Sequence, residues 1–456
     1  MEFHKNLLTE KAKFILRIAE KLGATQTEVT IGLQKSALTR LANSIIDQNV
    51  EENHATIQTV TYIGKKKGST SVEVMDNKSI EKAVENAVKI AKISPEDKNF
   101  HSLPEPLSYT HIPLKELVSK NTMNTNPEQR AESAKLVIDI AHSIDDRIKA
   151  VAGAISHGLA ERVIMNSLGI EAYEVGTYSN INLTILAEDG KEQAAGWYAD
   201  QNMDFSKLHL NEVAEIAAKK AVDGFGMQII EPRDYEVVME PAAFSGLLLF
   251  MAYFGFSAAM VQEYVSFLRE KIGSKLFSEK FNVWDDALDK RATFRAFFDD
   301  EGYPKSKINL VEKGVIRNYA YDSYTARKDG VKSTGHHNKE EGRALPFPTS
   351  MFVGEGDSNL EEMIAETKDG LLITHFHYQN AVSPTEGIFT GLTRDGTWKI
   401  ENGEIKYPVR TLRFTDAFPR FLGTINLIGK YQPINSQAYK VPPIKLPSFT
   451  ISSIQK

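Results

Sequence analysis

The chain has 456 residues, 42% hydrophobic and 25% charged, with a formal charge of −6 and no cysteine. Such a length exceeds one ordinary domain. The mild acidity leaves no electrostatic footprint for nucleic acid, and the absent cysteine excludes disulfides, thiolate zinc sites and a cysteine nucleophile.

Leu7, Phe14, Ile15, Ile18, Ala19 and Leu22 fall near one helical face, and Gly23 follows as a C-cap, which predicts a helix over 9–22. This spacing is that of an amphipathic helix, not the unbroken apolar core of a signal peptide, so a cytoplasmic location is expected. Residues 28–34, 56–64 and 68–75 alternate apolar and polar side chains and read as strands, with a turn over Gly64–Gly68. The run 79–93 predicts a second amphipathic helix with Ser79 as N-cap. An irregular connection fills 95–126. Asn126-Pro127 then opens a helix to about 144. Strands are predicted at 148–156 and 160–166, joined by a turn at His157-Gly158, and at 178–187. A helix over 210–222 ends at Gly224.

Pro232 breaks the pattern and YEVVME starts a new strand, so the domain boundary is placed near 226–233: an N-terminal domain over 1–228 and a C-terminal domain over 229–456. The stretch 241–262, PAAFSGLLLFMAYFGFSAAMVQ, carries no charge. It is long enough to cross a bilayer. However, it contains Pro241, two Ser and two Gly, is flanked by Glu240 and Glu263 in place of Lys/Arg, and would be a solitary span. A fully buried helix in a soluble domain is therefore predicted, followed by a second helix near 260–271. Glycines recur at short spacing between Gly302 and Gly403 and suggest a meander or barrel. Asn402-Gly403 and Lys313-Gly314 mark two hairpins. The fold class is α+β in two domains: N-terminal helices over an antiparallel sheet, and a C-terminal strand-rich, barrel-like or meander domain around a buried helix. No internal repeat is legible.

Four of the eleven histidines form two pairs, His336-His337 in a polar loop and His375 with His377 on one face of a strand. Two histidines at i, i+2 suit a metal; the plainer reading is a polar groove lining. The acidic runs Asp285-Asp286 and Asp299-Asp300-Glu301 offer ligands for a cation, but the plainer expectation is solvated turns. No HExxH, GxSxG or GxxxxGK[ST] motif occurs.

Several C-terminal elements, taken in order, resemble the TldD/PmbA family. They are Asp300-Glu301-Gly302, the hairpin at Gly314, Asp322-Ser323 with Ala326-Arg327, Ser333-Thr334-Gly335-His336, Gly370-Leu371, Gly387 with Phe389, Glu401-Asn402-Gly403, Pro408-Val409, and Ile425 to Gly429. The match is looser at Gly64, Gly68 and Asn166-Ser167-Leu168-Gly169. The resemblance implies two kinds of member. TldD-like chains carry HExxxH on the apolar helix, bind zinc there and cleave peptides or unfolded segments. TldE/PmbA-like chains lack the motif and pair with TldD around an enclosed groove.

In this sequence the motif falls on Phe250, Met251 and Gly255, none of which is a ligand or a base in that role. The further cysteine ligand of TldD-like chains would lie near Ala438. The resemblance thus implies a TldE/PmbA-type subunit with no catalytic, cofactor-binding or metal residue, inactive alone. Zinc is expected in a TldD-like partner; the assembly is a heterodimer with that partner or a homodimer. The substrate is a peptide or unfolded protein, with no nucleic acid or membrane involved. His336, His337, His375 and His377 are the expected groove-lining residues. The alternatives are a hydrolase whose own metal site is built from those four histidines, and a regulatory binding scaffold.

Overall fold

A computed structural model describes residues 3–293, 295–340 and 343–454. Helix α1 (Lys5–Lys21) leads into strands β1 (Gln26–Ala42), β2 (Ile45–Ile63) and β3 (Lys66–Val72), then helix α2 (Asn77–Ile93). After a connection holding the short helix α3 (Lys120–Asn124), helix α4 (Pro127–Ile144) is followed by β4 (Ile148–Asn166), β5 (Glu171–Glu188), β6 (Gln193–Asn202) and helix α5 (Leu210–Val222). The six strands form one antiparallel sheet in the order β3-β2-β1-β4-β5-β6.

This order exposes a repeat that the sequence hides. Each half is helix, three strands, helix, and the halves meet at β1 and β4. The outermost strand of each half carries one glycine under a helix. A Cβ on Gly68 would lie 2.0 Å from Ala87 O and 2.4 Å from Ala91 N of α2; one on Gly196 would lie 2.1 Å from Ala217 O and 2.5 Å from Ala221 N of α5. Both helices thus rest on the strand backbone through an Ala pair at i, i+4.

Several local expectations change. Asp76 caps α2, accepting from Ser79 N. The first hairpin runs far beyond its apolar part, turning at Asn43 and Ser44, both left-handed, because residues 45–55 pair through the backbone while their side chains stay largely in solvent. His157-Gly158 is no turn: β4 is continuous there, and a Cβ on Gly158 would meet Lys35 O and the Tyr178 hydroxyl at 2.5 Å. The turn after β2 sits at Gly64-Lys65, and Gly68 is a strand residue.

The second part begins with β7 (Asp234–Met239) and helix α6 (Pro241–Phe250). One π-helical turn, Met251–Gly255, and a short helix α7 (Ala258–Gln262) follow, so the apolar run is broken and no second helix extends to 271. The chain continues through β8 (Val283–Asp285), β9 (Ile308–Glu312), β10 (Val315–Ile316), α8 (Ser323–Asp329), β11 (His337–Glu340), β12 (Arg343–Pro346), β13 (Met351–Val353) and α9 (Leu360–Ala365). It then forms β14 (Asp369–Ile373), β15 (Phe376–Ser383), β16 (Ile388–Thr393), β17 (Thr397–Glu401), β18 (Glu404–Pro408), β19 (Leu412–Ala417), α10 (Phe418–Gly423), β20 (Leu427–Ile428) and β21 (Ile444–Ile454).

The main sheet runs β15-β16-β19-β21-β7-β14-β17-β18, with β20 against β21. It is mixed, since β7 and β14 are parallel, and the described strands do not close into a barrel. Residues 402–403 and 313–314 make the two expected tight turns with positive φ. The core of this part gathers Phe244, Phe256, Phe281, Phe414, Phe418 and Phe449 around α6. Among the described residues no helix is long and apolar enough to cross a membrane.

Candidate functional site

Helix α6 is apolar all round, yet it is not buried all round. Gly246, Leu249, Phe250, Tyr253 and Phe254 lie at helical spacing and remain partly exposed, Leu249 at 51%, whereas Phe244, Leu247, Leu248, Met251 and Gly255 face the core. The exposed stripe is aromatic: Phe250 and Phe254 pack near Phe389, with centroids 5.5 and 5.7 Å away, and Tyr253 lies 6.3 Å from Phe347. The start of α6 is fixed by a buried ion pair, Lys220 Nζ to Glu240 Oε2 at 2.7 Å, which ties it to α5.

Beside this stripe runs β15, an edge strand of the main sheet. The Gln379 side chain lies on the α6 backbone, where a Cβ on Gly246 would be 2.6 Å from its amide nitrogen. Tyr378 is 75% exposed with φ +48°, and the pairing with β16 is irregular between His377 and Asn380. His375 and His377 flank the buried Phe376 and are both partly exposed, but only His377 lies in β15; His375 precedes the strand, so the expected pair on one strand face is not formed. His375 stacks on Trp197 of β6, and His377 lies against Arg394.

The other histidine pair lies elsewhere. His336 is fully buried; its Nε2 is 3.0 Å from Asp285 Oδ1 and its Nδ1 is 2.9 Å from Thr334 Oγ1. It braces the interior and lines no groove. His337 is nearly buried, with Nδ1 2.9 Å from Asp322 Oδ2 and its backbone N–H donating to Asp299 Oδ2. The acidic runs are also interior, not solvated: Asp285, Asp299 and Glu301 are all buried. Their lone pairs are met by backbone donors, with Asp299 accepting from Glu301 N and Tyr303 N, and Glu301 from Ser323 N.

An ionic seam thus joins the first sheet to the loop around Asp300 and to β11, which pairs with β12 outside the main sheet. Arg162 of β4 bonds both Glu174 and Asp300, and Lys339 reaches Glu28 of β1. Burial pushes the Glu301 carboxyl up to about 7, against the pull of His337 and with repulsion from Asp299 and Asp322. Burial alone would lower the His337 imidazole, but Glu301 and Asp322 outweigh it and raise it to about 9.

The four histidines are each held by separate partners. Among the described residues no group of three or more His, Asp or Glu side chains is arranged for a metal ion. The motif position does not fit zinc either. Phe250 offers no donor, Met251 is buried among apolar neighbours, and a Cβ on Gly255 would meet Phe267 and Leu268 at 3.3 Å. Ala438 is exposed, in a segment bordering Pro241 at the opposite end of α6. Sequence reasoning missed Trp197, Gln379 and Arg394, which come to this site from strands and loops whose pairing only the fold defines.

Comparison with known proteins agrees with this architecture. Residues 232–453 match the model for the PmbA/TldA metallopeptidase C-terminal domain, and residues 124–225 that for the central domain. A metalloprotease PmbA homolog of Haemophilus influenzae is 26% identical over 88% of this chain and 86% of its own. A metalloprotease TldD homolog of Buchnera aphidicola is 24% identical over 64% of this chain and 62% of its own. The fold is that of the crystal structure of TldE from Thermococcus kodakarensis, with a TM-score of 0.88 at 22% identity, covering 97% of this chain and 100% of the other.

Proposed function

The chain belongs to the PmbA/TldD metallopeptidase family, and from that premise we propose that it is a non-catalytic, TldE/PmbA-like subunit of a cytoplasmic TldD/TldE-type protease. The observation that carries this reading is the occupancy of the motif position. Phe250 ends α6, and Met251 and Gly255 stand on the π-helical turn that follows, where a Cβ on Gly255 would meet Phe267 and Leu268. No nucleophilic water is activated by such a set, because activation requires a bound metal and a base.

The subunit's contribution is a wall of the peptide chamber. The aromatic stripe of α6 offers apolar contact, and the edge strand β15 beside it offers unpaired backbone groups. An extended peptide docks on such an edge by strand addition, which reads main chain more than sequence. The partner is a TldD-like chain bearing HExxxH and zinc.

The test is peptidase assay of the purified chain, alone and after co-expression with a TldD-like chain. The expected result is no cleavage alone and cleavage of unfolded peptide by the pair. Full activity of the isolated, metal-stripped chain sinks the reading.

A further inference from the structure

At the end of β15 away from its turn, several unusual features coincide. Tyr378 and Asp395, neither of them glycine, both have positive φ, +48° and +54°. The β15–β16 ladder is interrupted between His377 and Asn380. Two buried side-chain atoms, His375 Nδ1 and Gln379 Oε1, have no hydrogen-bond partner. Backbone strain and unsatisfied buried polar atoms both cost free energy and are concentrated at functional sites.

The chemistry of the spot is cationic. Arg394 follows β16, and its backbone N–H donates to His375 O at 3.0 Å. Its guanidinium is half exposed, with Nη1 3.2 and 3.1 Å from the two ring nitrogens of His377, so it rests on the face of the imidazole. Asp395 is the neighbouring counter-charge, 3.4 Å from Arg394 Nε and 3.6 Å from His375 Nδ1. Asp395 lies on the Nε side, and the guanidinium remains half exposed. Burial, then Arg394 and His375, hold the His377 imidazole below its ordinary range, with Asp395 opposing. An arriving anion would favour the protonated imidazole and so oppose that lowering. The exposed Tyr378 ring, 4.0 Å from His377, flanks the spot.

We infer that Arg394, with His377 beside it, receives the C-terminal α-carboxylate of an extended peptide lying along β15. The inference rests on the groove reading above and adds a substrate feature to it: a free chain end at a fixed register. A planar carboxylate matches the guanidinium fork, which a lysine at the same place does not reproduce. A strand added to the open edge lies beside His377 and Tyr378 of β15, so a chain terminus held there sets a register that strand addition alone leaves free.

The test uses an N-terminally fluorescein-labelled hexapeptide, Ala-Val-Ala-Val-Ala-Val, prepared as free acid and as C-terminal amide. Binding to the full chain is followed by anisotropy. The acid is expected to bind about tenfold more tightly than the amide. Arg394→Gln is expected to remove that difference while leaving amide binding in place, and Arg394→Lys to retain part of it. Equal affinity of acid and amide, or a difference that survives Arg394→Gln, overturns the carboxylate site and leaves the groove standing. Binding of neither peptide overturns both readings. Circular dichroism of each variant separates loss of the site from loss of the fold.

Discussion

The rings of Trp197 and His375 are stacked 4.3 Å apart and within 11° of parallel. Trp197 belongs to β6, the last strand of the first sheet, and His375 directly precedes β15, the edge strand of the second. The two sheet edges are therefore joined by one aromatic contact beside the proposed peptide groove. Trp197→Ala is expected to lower stability by about 1–2 kcal/mol through lost stacking and burial. It should also weaken peptide binding, because His375 loses the surface that orients it. Urea denaturation and peptide anisotropy measure the two effects separately.

The ionic seam sets a pH dependence. The folded pKa of His337 is raised to about 9, so its stabilisation is complete below the unfolded value near 6.5 and is lost as pH rises through 9. Glu301 is raised to about 7, so it stays protonated in the fold while the unfolded chain ionises, and stability falls between about 4.5 and 7. Both act in one direction, and the melting temperature is expected to fall from pH 5 to pH 9. His337→Gln should flatten the upper part of that slope. Differential scanning calorimetry across this window checks it; a rising curve contradicts the assignment.

The two helix-bearing glycines should behave alike. Gly68→Ala and Gly196→Ala each force a methyl onto helix backbone atoms, at a cost of about 1–3 kcal/mol. The sites lie at opposite edges of the six-stranded sheet, so the double variant should show the sum of the two losses. Urea midpoints of the three variants decide this.

Lys220 and Glu240 form a pair with both residues buried. Glu240→Ala leaves Lys220 uncompensated and is expected to cost about 3–5 kcal/mol. Adding Lys220→Met should recover most of that loss. Recovery shows that the penalty arises from the stranded charge and not from the first turn of α6.

Restoring the motif residues should not restore a zinc enzyme. Phe250→His, Met251→Glu and Gly255→His together place a bulky side chain where even a methyl is tight against Phe267 and Leu268. The triple variant is expected to lose about 2 kcal/mol or more and to bind zinc weakly. Isothermal titration with zinc and a thermal melt provide the readout.

Legibility followed the periodicity. Helices over 127–144 and 210–222 and the two glycine-marked hairpins were readable, because caps, turns and amphipathic spacing act locally. The internal repeat was not, because its common element is a contact between one glycine and two alanines distant in the chain. The solvated reading of Asp299-Asp300-Glu301 failed for a related reason: the partners that make burial tolerable, Arg162, His337 and Ser323, come from three other segments.

By itself, the sequence determined that residues 241–262 are apolar, uncharged and without His or Cys, since those properties reside in the residues present. Tertiary structure alone decided that the run breaks at a π-helical turn, keeps one aromatic side open and lies against an edge strand. Hydropathy records how apolar each residue is, whereas exposure depends on what the rest of the chain places opposite it.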